Sequence, residues 1–85
     1  MIKINTLPII DMIATGKKIA EKRVNAGYSV RQLQKILGFS TPQAIYKWQR
    51  GESIPSIDNL AVLSTVLDIK IDDIIIYKKP EETDK

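Results

Sequence analysis

The stretch SVRQLQKILGFSTPQAIYKWQRG, Ser29 to Gly51, decides how this chain folds. Ser29 followed three residues later by Gln32 is a capping box, in which each side chain satisfies the backbone N–H of the other residue. Val30, Leu33, Ile36 and Leu37 then recur at helical spacing, and Gly38 stops the helix. After a short turn, Ser40 or Thr41 can cap a second helix. Pro42 suits its first position, where the missing N–H is not needed. Ala44, Ile45 and Trp48 form the inward face, and Gly51 supplies the stop. This second helix is only about two turns long, too short to stand alone, so packing must hold it.

Its outer face carries Gln43, Tyr46, Lys47 and Arg50, at i, i+3, i+4 and i+7. No acid lies between Ser29 and Gly51. An ordinary amphipathic helix with a mixed polar skin is the plain reading of such a face taken by itself. The capped helix before it, the Gly38 turn and the charge of this half of the chain all weigh against that reading.

Outward from this stretch, further short helices follow. Upstream, a helix over Thr15–Ala26 is expected, with Thr15 as cap, Asp11 as an earlier alternative, and Gly27 as stop. Ile19, Arg23 and Ala26 share one face, with Ala20 and Val24 beside it, a thin stripe. Downstream, Pro55 ends a loop and Ser56 caps a fourth helix on which Ile57, Leu60, Ala61, Ser64 and Leu67 share a face, broadened by Leu63. Asp58 sits near its positive end. Ile71, Ile74 and Ile75 mark a last short helix, with Asp72 and Asp73 in its first turn. The opening MIKINTLPIID reads as an extended arm, a short edge strand or a loose terminus. The closing KKPEETDK is charged and expected to be disordered.

The chain has 85 residues, room for one small domain. Neither Cys nor His occurs, which removes disulfides, the usual zinc sites and nucleophile–base pairs. Apolar runs are short, so no transmembrane span is expected and the protein is expected in the cytoplasm. Net charge is +3, but it is unevenly spread: residues 1–51 carry a balance of +7 and residues 52–85 one of −4. The basic half suits a polyanion. Neighbouring Asp72 and Asp73 diverge by about 100° on a helix, so they read as first-turn acids rather than a catalytic or metal pair. No cofactor is expected.

A capped helix, a glycine turn and a second short helix are the plan of a helix-turn-helix, whose second helix offers its outer face to the major groove of DNA. The side chains fit that task. Gln43 can pair with adenine and Lys47 can donate to guanine. Tyr46 can touch a thymine methyl or donate to a phosphate, and Arg50, at the helix end, suits the phosphate backbone.

From Gly16 to Ile75 the chain resembles the helix-turn-helix domain of Cro and phage-repressor type, the xenobiotic-response-element family. The matching pieces are GKKIAEKR, SVRQLQKILGFS, AIYKWQRGESIPS and IDNLAVLSTVLDIKIDDII. The resemblance implies that Gln43, Tyr46 and Lys47 face bases. It implies that Thr41 and Arg50 approach phosphates, and that Ser29 and Arg31 sit where the preceding helix meets the DNA backbone. The chain departs from the family pattern at several points. Val30 stands where many members have a phosphate-clamping Gln, Gln34 where a small residue is usual, and Lys22 where Leu is common. The turn GFSTPQA is one residue longer than the common pattern, and Pro42 falls near a position that contacts bases in some members.

The expectation is therefore an all-α protein: a compact five-helix, lambda-repressor-like DNA-binding domain with a short extended N-terminal arm. Its divisions would be an arm over residues 1–13, the helix-turn-helix domain over 14–77 and a charged tail over 78–85. The expected function is sequence-specific regulation of transcription, as a repressor and not an enzyme. The helix Pro42–Gln49 would enter the major groove of double-stranded DNA, in a bacterial or phage nucleoid. Ile74, Ile75, Ile76 and Tyr77 either finish the core or form a homodimer seam, and the seam is favoured. A protein regulator could join. The rival reading keeps the fold but uses its isoleucine-rich end on a protein partner, as an antitoxin or antirepressor.

Overall fold

The computed structural model describes residues 8–78. The expected alternation at Ile2 and Ile4 and the end of the charged tail lie outside these residues. In chain order the elements are β1 (Ile9–Ile10), α1 (Met12–Asn25), α2 (Val30–Leu37), α3 (Gln43–Gln49), α4 (Ile57–Leu67), α5 (Ile71–Ile74) and β2 (Tyr77–Lys78). The five expected helices are all present. One buried cluster unites them: Ile19 of α1, Leu33 of α2, Ile45 and Trp48 of α3, Leu60, Leu63 and Leu67 of α4, and Ile74 of α5. No described helix is long and apolar enough to cross a membrane.

Helix α1 starts at the earlier of its two candidate caps. The Asp11 carboxylate accepts from the Ala14 N–H at 3.0 Å. Thr15 is not a cap but a buried clasp. Its hydroxyl accepts from the Ile76 N–H at 2.9 Å and donates to the Ile76 carbonyl at 3.2 Å. A buried hydroxyl needs such partners, since leaving it unpaired costs more than the bonds return. The same carbonyl accepts from the Asp11 N–H at 2.8 Å. Beyond this clasp the two strands pair antiparallel, Ile9 with Lys78 and Ile10 with Tyr77. Lys78, expected in the tail, is thus part of a strand.

Burial narrows the expectation for the isoleucine-rich end. Ile74 is wholly buried and so cannot line a dimer seam. At Ile75 the backbone turns extended (φ −81°, ψ 113°), which ends α5 and carries the chain into β2. Ile75 and Ile76 are half-buried and only Tyr77 is well exposed. Four apolar residues that would cover several faces of a helix are instead divided between core, clasp and strand.

Two apolar faces are also rotated from their expected settings. On α4, Leu60, Leu63 and Leu67 point inward, while Ile57 is 74% exposed and Ala61 faces solvent. On α2, Leu33 is buried, Val30 and Leu37 are half-buried, and Ile36 is exposed. The caps of α2 and α4 stand as expected: Ser29 and Gln32 form the capping box, and the Ser56 hydroxyl accepts from the Asn59 N–H at 3.2 Å.

Candidate nucleic-acid interface

The geometry of α3 is set from its inner side. Ile45 and Trp48 are buried, at 0% and 4% exposure. The Phe39 ring, from the turn, meets Trp48 edge-on with centroids 5.8 Å apart at 69°, an arrangement favoured by the ring quadrupoles. Gly38 adopts the left-handed conformation (φ 76°) that ends α2. Gln34 then holds the lengthened turn. Its carbonyl accepts from the Phe39 N–H at 3.0 Å, and its side-chain amide donates to the Phe39 carbonyl at 3.2 Å. The long side chain at this position therefore has a task that a small residue could not perform.

Helix α1 braces α3 from the other side. Gly16 lies so close to the end of α3 that a Cβ there would fall 2.1 Å from the Trp48 carbonyl oxygen. The absence of a side chain at Gly16 is what permits this approach. Arg23, on the same helix, donates from Nη1 to the Tyr28 carbonyl at 2.8 Å and from Nε to the Gln49 side chain at 3.1 Å. It ties α1 to the loop before α2 and to the last turn of α3. Sequence reasoning placed Arg23 among the apolar residues without finding this role; a charge on an otherwise apolar stripe was the available signal.

Gln43, Tyr46 and Lys47 all face solvent on one side of α3. Pro42 is the cap residue rather than the first helical one, and its carbonyl accepts from the Tyr46 N–H at 3.2 Å. Thr41 is exposed beside it, and its hydroxyl accepts from the Gln43 N–H at a long 3.4 Å. Ser29 and Arg31 are exposed at the start of α2. The capping box occupies the Ser29 and Gln32 N–H groups, which leaves those of Val30 and Arg31 for an outside acceptor.

Arg50 follows the last turn of α3, and its guanidinium is already engaged. Nε lies 2.6 Å from Glu52 Oε2, and Nη2 lies 3.2 Å from Oε1. This hydrogen-bonded pair holds the Glu52 carboxyl below its ordinary range, against the opposing effect of desolvation and with further help from the Arg50 and Lys47 charges. The same contact raises Arg50 above its own. Glu52 had no part in the sequence-derived site, although its spacing from Arg50 was visible.

Two helices joined by a tight turn, the second braced inside and polar outside, define a helix-turn-helix protein. Residues 19–74 match the sequence profile of that family, and the chain belongs to the Cro/C1-type helix-turn-helix family of DNA-binding regulators. Among solved structures it is similar to the restriction-modification controller protein C.AhdI from Aeromonas hydrophila, at 26% identity and a TM-score of 0.66, over 75% of this chain and 96% of that one. The P22 c2 repressor, solved with a synthetic operator, is 30% identical with a TM-score of 0.65, over 71% of this chain and 89% of that one. SinR, a master regulator for biofilm formation solved with DNA, is 28% identical with a TM-score of 0.63, over 71% of this chain and 95% of that one. No individually curated protein matches at the sequence level.

Proposed function

We propose that this protein represses transcription by binding duplex DNA with α3 in the major groove. The observation that carries this is the face of α3. Gln43, Tyr46 and Lys47 stand exposed together, without an acid among them, on a helix whose other side is locked into the core. Side chains of these types can discriminate base edges only if the helix presenting them is held in one orientation. Ser29, Arg31 and Thr41 would contact phosphates, the first two at the N-terminus of α2, where unpaired N–H groups and the helix dipole favour an anion. Arg50 would do so at the other end of α3, once released from Glu52. Membership of a family of DNA-binding regulators, and likeness to two proteins solved with DNA, support the reading. It is a binding function and not a catalytic one.

Binding is proposed to involve two copies, whose recognition helices would meet half-sites about one helical turn, ~34 Å, apart. Residues 14–77 would act as the DNA-binding unit, flanked by the arm and the charged tail. Selection of bound sequences from random duplex DNA by the purified protein tests both parts. A palindromic motif is expected. An enriched motif without symmetry would remove the paired arrangement, and failure to bind any duplex at low salt would remove the DNA reading. In that case the antitoxin or antirepressor alternative would gain, although Ile74 is no longer available to its surface.

A further inference from the structure

The acid-free stretch that contains α3 ends at Glu52: no Asp or Glu lies between Glu21 and Glu52. Glu52 is also not placed at random. Its backbone N–H donates to the Lys47 carbonyl at 2.9 Å, and that of Arg50 donates to the Tyr46 carbonyl at 3.0 Å. Both residues of the pair are therefore anchored to two of the three α3 residues proposed to read bases. Their side chains are about half exposed, 53% for Arg50 and 51% for Glu52. Burial does not enforce the contact, and an incoming group can reach it. A guanidinium fork accommodates a carboxylate and a phosphate with the same two parallel N–H···O bonds. In the free protein, Glu52 occupies the Nε and Nη2 donors of that fork.

We infer that Glu52 is an internal stand-in for a DNA phosphate, which holds the Arg50 fork ready and must give it up when the protein docks. This rests on the DNA-binding reading above and deepens it. The exchange has two consequences. Arg50 is oriented beside α3 before DNA arrives, so less side-chain freedom is lost on binding. The released carboxylate is left facing a polyanion, where it draws a cation from solution. That uptake cancels the ion released when Arg50 meets a phosphate. Glu52 thus removes the gain of one cationic contact from every complex. Non-specific complexes have little besides such contacts, whereas a specific complex retains its base contacts.

The test uses the full chain, a labelled random-sequence DNA duplex and a range of salt concentrations. The proteins are wild type, E52Q, R50Q and the double variant R50Q/E52Q. E52Q is expected to bind roughly two- to fivefold more tightly than wild type, the range an exposed ion pair can supply. Its plot of log affinity against log salt should steepen by up to about 0.9, one phosphate contact. With Arg50 already replaced, adding E52Q should leave the slope where R50Q set it. Equal gains in both backgrounds would overturn the inference, because Glu52 would then be only a repelling charge. No gain in E52Q would overturn it too, since Arg50 would not be exchanging partners. If wild type binds and this coupling is missing, only the stand-in role falls. If neither wild type nor any variant binds the duplex at low salt, the DNA reading falls and takes this role with it.

Discussion

On its inner flank α3 gives Ile45 and Trp48 to the core and meets the backbone of α1 at Gly16; on its outer flank it gives Gln43, Tyr46 and Lys47 to solvent. The inner flank tolerates almost no change of shape, because its contacts are with backbone and with close-packed rings. The outer flank has no packing to satisfy. A helix of seven residues cannot hold itself, so its rigidity comes wholly from the inner contacts, and its outer residues are left to meet a partner. Stability and recognition therefore lie on opposite sides of one short element, and substitutions can separate them.

The largest expected effect is on the inner side. Gly16→Ala places a methyl 2.1 Å from the Trp48 carbonyl oxygen. Neither helix can relieve this by a rotamer change, so a loss of roughly 3 kcal/mol or more is expected, the upper end for overpacking. Urea unfolding measures it, and a loss below that of an exposed α1 substitution such as Lys17→Ala would break the proposed close approach. Next is Arg23→Met, which keeps the apolar stem but strands the Tyr28 carbonyl and the Gln49 side chain. About 1–3 kcal/mol should be lost on unfolding. A wild-type denaturation curve would mean that Arg23 does not brace α3.

On the outer side the sign of the comparison reverses. Lys47→Ala should leave the melting curve unchanged yet weaken binding to the selected sequence by about 1–3 kcal/mol, with a smaller loss on random DNA. Equal losses on both would move Lys47 from base reading to phosphate contact. The smallest effect concerns Glu52, on the margin between the flanks. Its carboxyl is held lower in the folded chain than in the unfolded one, first by the hydrogen bond from Arg50. Its stabilising contribution is therefore complete above the unfolded carboxylate range and fades as pH falls through the folded value. Thermal melting of wild type should drop slightly more on acidification than that of E52Q. Parallel pH curves would show that the pair adds nothing to the folded state.

Much of this was legible in the sequence because it is written locally. The capping box at Ser29 and Gln32, the Gly38 stop, the Ser56 cap and the inward Ile45 and Trp48 depend on residues within a turn or two of one another. Charge along α3 is legible for the same reason. What could not be read is what depends on contacts between distant segments. Thr15 could cap a helix or be buried against Ile76, 61 residues away, and nothing near Thr15 distinguishes the two. Ile57 fits the apolar spacing of α4, but the exposed side of that helix is decided by where α3 and α5 lie.

The sequence by itself determined the five helices, their order, the helix-turn-helix plan and the polar face of α3, since spacing, caps and glycines specify these over short distances. Only the tertiary structure decided how α3 is held and what its margins do. Gly16 becomes a contact point only when α1 crosses α3, and Arg23 becomes a brace only when Gln49 arrives beside it. Tyr77 and Lys78 become a strand only because Ile9 and Ile10 are there to pair with them. Each of these needs two segments brought together by burial of the common core, and no single segment carries that information.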